Sequence, residues 1–307
     1  MKIVDGKQIE ELNISPRTCI EWVTESFLMK PESQLPAKIS VHPSGNDFIT
    51  TMPCLLPDSY HTFGVKVVSR VQGRHPALKS ELMLFDSISG ELKAIMDADW
   101  ITSMRTGAVA ALAMRTFRKP DCCVYSFIGL GNTAHATMKC MLEQFKDERF
   151  TVRLFRYKNQ AEEFVEDFSE YTDVSFEIVD TVEELVWNTD VLVSCITDAK
   201  GLLVEDDTLF KPGILVVPVH TRGFQNCDLF FDKVFADDTD HVRGFKNFSH
   251  FRSFNEIGNV LSGKVTGRES VDERILSYNI GLGLHDVYFS SHIYNRIYLG
   301  KQSKIGS

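Results

Sequence analysis

Val124-Tyr125-Ser126-Phe127-Ile128-Gly129-Leu130-Gly131-Asn132-Thr133-Ala134-His135 constrains the fold more than any other stretch of the chain. The run from Cys122 to Ile128 is apolar except for Ser126, which suits a strand covered on both faces, as in a parallel sheet. Gly129 permits a sharp turn, and Gly131 lets the backbone approach a pyrophosphate. Ala134 stands where a third small residue lets helix and strand touch. A helix from Thr133 to about Phe145 would aim its unpaired N–H groups and positive end at phosphates. Gly129, Gly131, Asn132, Thr133 and Ala134 are therefore the expected phosphate contacts.

Gly-x-Gly-x-x-Ala also fits an ordinary tight turn, so its surroundings decide the matter. A strand is expected at 151–155 and a helix at 160–168. Further strands are expected near 174–179, 191–195 and 214–217. That alternation specifies an α/β architecture with a doubly wound parallel sheet that binds nucleotides.

At 307 residues the chain is long for one core, and two domains are expected. Hydrophobic content of 43% and charged content of 24% are those of a soluble globular protein. A formal net charge of −9, with no Lys/Arg cluster, argues against a nucleic-acid partner. No apolar run is long enough to span a bilayer and no signal-peptide core is visible, so a cytoplasmic protein without membrane contact is expected. Cys19, Cys54, Cys122, Cys123, Cys140, Cys195 and Cys227 form no C-x-x-C pair. They read as buried reduced thiols, and no metal site is expected.

Ser15-Pro16 is a helix start, cap then N1 proline. From Pro36 the chain turns to extended segments at 38–42, 48–52, 63–70 and 81–86. Ser87-Ile88-Ser89-Gly90 joins the last of these to 91–96 as a hairpin. The first third is thus a mainly antiparallel sheet with one leading helix. A helix at 97–117 follows, and Ala108, Ala110, Ala111 and Ala113 would let another backbone come close. Lys119-Pro120-Asp121 ends it and marks a domain boundary. An amphipathic helix at 281–298 is expected to fold back on the first domain. The expected division is 1–119 with 285–307 against 120–284.

Pro36-Ala37-Lys38, Met52-Pro53, Gly64-Val65-Lys66, Ser103-Met104-Arg105-Thr106-Gly107-Ala108, Pro212-Gly213 and Gly281-Leu282-Gly283-Leu284-His285-Asp286 accompany the glycine turn. Together they resemble the ornithine cyclodeaminase/mu-crystallin family from about Pro36 to Asp286. The resemblance implies a homodimer in which a Rossmann-type domain binds NAD(P) and a mainly antiparallel α+β domain serves substrate binding and dimerisation. It implies that Lys38 and Arg105 hold a substrate carboxylate, that Lys66 lies beside the reacting α-carbon, and that Met52 is on the substrate side. It also implies cofactor contacts from Ser194, Ile196 and Thr197. Independently of the family, a carboxylate is best clamped by a guanidinium, and a lysine in a closed site can work as acid or base.

The second strand of the nucleotide-binding sheet ends Phe155-Arg156-Tyr157-Lys158, with no acid before Glu162. An acid there normally receives a 2′-hydroxyl, whereas arginine accommodates a 2′-phosphate. Arg156 and Lys158 therefore favour NADP(H) over NAD(H).

The family pattern fails after Pro212-Gly213. An active-site aspartate is expected near Thr221 or Arg222, yet the chain reads Val217-Pro218-Val219-His220-Thr221-Arg222-Gly223. Either His220 replaces it as a proton carrier titrating near working pH, or Arg222 receives a second substrate carboxylate. The missing acid touches ring closure with loss of ammonia more than simple hydride transfer. The expected activity is therefore an imine or ketimine reductase, or an amino-acid dehydrogenase, acting on a small amino or imino acid. Ornithine cyclodeaminase and a non-catalytic NADPH-binding protein are the alternatives.

Overall fold

The computed structural model describes residues 1–197, 199–220 and 222–300, and the chain divides into two compact units. One is Met1–Arg105 with the chain from Leu282 on; the other is Thr106–Gly281. The division runs through the helix Asp99–Phe117, ahead of Lys119-Pro120-Asp121. Thr221 and the last part of the stretch 285–307 lie outside the described residues.

The first unit is built on β1 (Lys2–Val4), β2 (Ile39–Val41), β3 (Phe48–Leu55), β4 (Thr62–Arg70), β5 (Leu78–Asp86) and β6 (Leu92–Asp97). Their spatial order is β1-β6-β5-β4-β3-β2, antiparallel except for the parallel β1–β6 pair. Strand β1 has three residues and buries only Val4, too short a pattern to read as a strand. The two-residue period buries Thr50, Met52 and Cys54 of β3 and Thr62, Gly64 and Lys66 of β4. Lys66 thereby puts a cation on the covered face.

Two glycines let the helix Gly283–Tyr298 lie close on that face. A Cβ on Gly64 would come within 2.7 Å of Val287, and one on Gly283 within 3.0 Å of the Met52 carbonyl oxygen. The helix is not amphipathic over its first turns: every residue from Gly283 to Ser291 is buried. It has the sheet on one side and the helix Pro16–Met29 on another, where Trp22 meets Phe289 edge-on at 5.0 Å. Ser15 accepts the Thr18 N–H and caps that second helix, with Pro16 at N1.

The second unit holds eight parallel strands: β7 (Val124–Ile128), β8 (Phe150–Phe155), β9 (Val174–Val179), β10 (Val191–Ser194), β11 (Leu215–Pro218), β12 (Lys233–Ala236), β13 (Phe254–Glu256) and β14 (Ile275–Tyr278). Their order, β13-β12-β14-β11-β10-β7-β8-β9, reverses between β7 and β10. This is the expected doubly wound sheet. Strands β12 to β14 have three or four residues each and lie among aromatic loops, so their pattern was not legible. Phe224, Phe245, Phe248, Phe251 and Phe254 of that region pack into one apolar core with Tyr278.

The alanine-rich helix Asp99–Phe117 receives another backbone as expected. A Cβ on Gly107 would stand 2.4 Å from the Ala136 carbonyl carbon, so this helix and Asn132–Gln144 meet main chain to main chain. Among the described residues no helix is long and apolar enough to cross a membrane.

Candidate functional site

The glycine turn follows β7 directly. Gly129 has φ +83°, and a Cβ there would lie 2.6 Å from the Ile196 nitrogen, so β7 and the end of β10 approach through glycine alone. At Gly131 an added Cβ would meet nothing within 4 Å among the described residues. Open space thus adjoins the start of the helix Asn132–Gln144, which no described side chain caps. His135 makes that helix's first backbone bond, to Gly131 O at 3.1 Å, so the N–H groups of Asn132, Thr133 and Ala134 have no acceptor within the helix. An uncapped helix end beside open space fits a pyrophosphate. Ala134 is fully buried, as contact between helix and strand requires.

Gly129→Ala is expected to weaken nucleotide binding at least tenfold and to lower stability by about 2–4 kcal/mol, through a left-handed backbone on a β-carbon and overpacking against Ile196. Fluorescence titration with NADPH and urea unfolding check both.

At the end of β8, Arg156 is not held in reserve. Its Nε donates to Asp180 at 2.8 Å, and its terminal nitrogen pairs with Glu162. Lys158 sits in the left-handed region at φ +54°, with its amine 5.3 Å from the centre of the Tyr157 ring. Glu162 reaches Arg156 from the next helix and Asp180 from the end of β9, so a 2′-phosphate at this strand end would meet an arginine already paired with two carboxylates.

Ser194, the last residue of β10, is fully buried, and its Oγ lies 2.6 Å from His220 Nε2. Ile196 is half-buried and Thr197 exposed. The Arg222 N–H donates to His220 Nδ1 at 3.2 Å. Because Nδ1 accepts, the neutral imidazole carries its proton on Nε2 and donates to Ser194. Burial, then the Arg222 charge, push the ring down to about 4. Burial thus works against a charged ring, and the Nε2–H orients the Ser194 hydroxyl. Asp228, the first acid beyond this loop, is buried and takes the Tyr278 hydroxyl at 2.7 Å.

In the first unit Lys66 and Arg105 meet on one carboxylate. Lys66 Nζ lies 2.8 Å from Asp286 Oδ2, and Arg105 Nε donates to Asp286 Oδ1 at 2.9 Å. Lys66 also donates to Thr102 Oγ1 at 3.3 Å, and the Thr102 hydroxyl in turn donates to Ser80 at 3.2 Å. Lys66 and Asp286 are wholly buried and Arg105 nearly so. Burial, then the Arg105 charge, outweigh Asp286 and lower the Lys66 amine to about 8, with Lys38 adding to the effect. Burial pushes the Asp286 carboxyl up, but Arg105 and Lys66 together hold it below the carboxylate range.

Two cations around one carboxylate leave a surplus positive charge. Asp286 takes only the Arg105 Nε–H. The two terminal nitrogens of that guanidinium have no acceptor among the described residues and form the fork that suits a second carboxylate. Met52 is buried and stands opposite Lys66 in the β3–β4 register.

Asp286 closes the stretch Gly281-Leu282-Gly283-Leu284-His285-Asp286, with no role of its own legible from the sequence. The available signal was an acid in a helix whose neighbours, Leu284, Val287 and Phe289, are all apolar.

The profile of the ornithine cyclodeaminase/mu-crystallin family matches residues 2–301. N-((2S)-2-amino-2-carboxyethyl)-L-glutamate dehydrogenase of Staphylococcus aureus is 26% identical over 282 residues, 85% of this chain and 81% of that protein. Ketimine reductase mu-crystallin of Mus musculus is 25% identical over 234 residues, 74% of this chain and 72% of that protein. Among solved structures, Thermococcus litoralis Delta(1)-pyrroline-2-carboxylate reductase in complex with NADH and L-proline superposes with a TM-score of 0.86 at 22% identity. That match covers 98% of each chain. An archaeal alanine dehydrogenase dimer with bound NAD gives 0.85 at 23% identity, covering 100% of this chain and 99% of that one. With its doubly wound sheet, its glycine turn and a family match over nearly its whole length, this chain belongs to the ornithine cyclodeaminase/mu-crystallin family.

Proposed function

We propose that the protein is a nicotinamide-dependent oxidoreductase that transfers hydride at the α-carbon of a small amino acid or its imine. The observation that carries this reading is the Arg105 guanidinium, tied to Asp286 through Nε alone, beside a Lys66 amine lowered to about 8. Arg105, with Lys38, binds the substrate carboxylate. Lys66 delivers a proton to the imine nitrogen in reduction and withdraws one in oxidation. The cofactor, held at the glycine turn, supplies or accepts the hydride. The named activities of the S. aureus and mouse relatives, and the NADH and L-proline bound by the T. litoralis enzyme, support this class.

The test is a screen of 2-oxo acids with amines, and of cyclic imines, following oxidation of NADPH and NADH. Reduction of a cyclic imine or an oxo-acid/amine pair is expected. Proline and ammonia from ornithine without net cofactor turnover would replace this reading with cyclodeamination.

Within this reading NADP(H) is preferred, since Arg156 and Lys158 stand at the end of β8 where no acid does. The preference is expected to be about tenfold or less, because the phosphate must compete with Glu162 and Asp180 for Arg156. Glu162→Gln removes one competitor and is expected to widen the NADPH-to-NADH affinity ratio severalfold, whereas Arg156→Ala narrows it towards unity. Calorimetric titration with both cofactors reads the change. The reading also includes a cytoplasmic homodimer, checked by sedimentation and cell fractionation.

A further inference from the structure

The two described partners of the Lys66 amine differ in what they can return to it. Asp286 is held as an anion between Lys66 and Arg105, below the ordinary carboxylate range, and has no proton to give. The Thr102 hydroxyl, 3.3 Å from the amine, can both accept and donate. It continues to the Ser80 hydroxyl at 3.2 Å.

The fold sets this row of groups out on one face. Leu82 stands opposite Lys66 in the β4–β5 register, and Ser80, two residues before Leu82, is buried on the same covered side. Three bonds tie Ser80 to the start of the helix Asp99–Phe117. The Ala98 N–H donates to the Ser80 carbonyl at 2.9 Å, the Ser80 N–H donates to Asp99 Oδ1 at 2.6 Å, and the Thr102 hydroxyl donates to Ser80 Oγ. The outer end of the row thus adjoins the Asp99 carboxyl, which is partly exposed and whose proton affinity burial raises.

Imine reduction spends a proton at Lys66 on every turnover, and the amine that must regain it is wholly buried. A carbonyl in place of Thr102 would satisfy the ammonium equally well, but it could hand nothing back. Two hydroxyls in series can.

We propose that Thr102 and Ser80 form a proton relay that reloads Lys66 after each turnover. The proposal rests on the hydride transfer proposed above and deepens it by naming how the acid is restored. With Lys66 protonated the row points outward, amine to Thr102 and Thr102 to Ser80. Once the amine has protonated the imine nitrogen, its lone pair becomes an acceptor and both hydroxyls rotate. Thr102 then passes its proton to the amine and takes that of Ser80, which takes one from solvent beside Asp99. One proton enters for each one delivered, and neither hydroxyl ionises. In amine oxidation the same transfers run outward. Thr102 and Ser80 act through Lys66 and are positioning residues for its proton.

The experiment follows NADPH oxidation by stopped flow with two probes, 1-pyrroline-2-carboxylate and pyruvate with methylamine. It compares the natural protein with Thr102→Val, which loses the hydroxyl, Thr102→Ser, which keeps it, and Ser80→Ala. In Thr102→Val the amine is already protonated at mixing, so the first turnover is expected to stay within about twofold of the natural rate, while later ones slow by about tenfold or more. The trace is then a burst followed by a slow phase, and that phase slows further in D2O, as proton transfer does and product release does not. Thr102→Ser is expected to show neither burst nor loss. Ser80→Ala is expected to repeat the burst, and it carries the test if Thr102→Val does not fold.

A Thr102→Val protein with the natural steady rate overturns the relay, since the amine is then reloaded by another route. So does a first turnover slowed as much as the later ones, which marks a structural role, or a slow phase indifferent to D2O. A natural protein that oxidises NADPH with neither probe overturns the hydride-transfer reading instead, and no variant is needed to see it.

Discussion

Lys66→Met is expected to lower turnover by roughly a hundred- to ten-thousand-fold, the range that a positioned general acid contributes, while nucleotide binding persists. Methionine matches the length of the lysine stem, and Asp286 keeps its bond to Arg105. Lys66 supplies none of the expected phosphate contacts, so NADPH affinity is expected to change by less than about twofold. A protein that only binds its cofactor would show no turnover to lose.

The pH profile gives the same group a second signature. Imine reduction needs the protonated amine, so its rate is expected to fall as pH rises through about 8. Amine oxidation needs the neutral amine, and its rate is expected to rise across the same interval. His220, pushed down to about 4, contributes no limb between pH 5 and 8. A reductive profile flat from pH 6 to 10 would remove Lys66 from its role.

Asp286→Asn is expected to be the most destabilising of these changes, costing about 3–5 kcal/mol. It leaves Lys66 and Arg105 buried side by side with no counter-charge between them. The sign with pH follows from the lowered carboxyl. In the folded chain Asp286 binds a proton less readily than in the unfolded chain, so its stabilisation is fully present above the ordinary carboxylate range. It is lost as pH falls through the lowered folded value. Urea unfolding should show the full difference between natural and variant protein at pH 7 and a smaller one at pH 3. The amine of Lys66, deprived of the carboxylate that holds it up, is expected to titrate below 8, and the basic limb of the reductive profile should move with it. An unchanged limb would mean that Asp286 does not govern Lys66.

These effects all depend on a close approach of backbones. Gly64 and Gly283 let the helix Gly283–Tyr298 lie close on β3 and β4, and that contact carries Asp286 to Lys66. In the chain the two residues are far apart, and nothing in either neighbourhood names the other. The last three strands escaped for a different reason: three or four residues do not display a period, and the flanking phenylalanines serve the core whatever the local backbone does.

Much of the protein was nonetheless written locally. The strand, glycine turn and helix opening at 124–135, the alternation of strands and helices after it, the capped helix after Ser15 and the antiparallel first third are each set by neighbours within a few residues. Period, capping and backbone freedom act over that range. Lys66 was legible too, since a two-residue period put its cation on the covered face of a strand. Tertiary structure alone decided how those charges are spent. It gave Arg156 to Glu162 and Asp180, fixed the His220 tautomer against Ser194 and Arg222, and set Asp286 between Lys66 and Arg105. Proton affinity and ion pairing depend on burial and on partners distant in the chain, and these quantities exist only once the chain has folded.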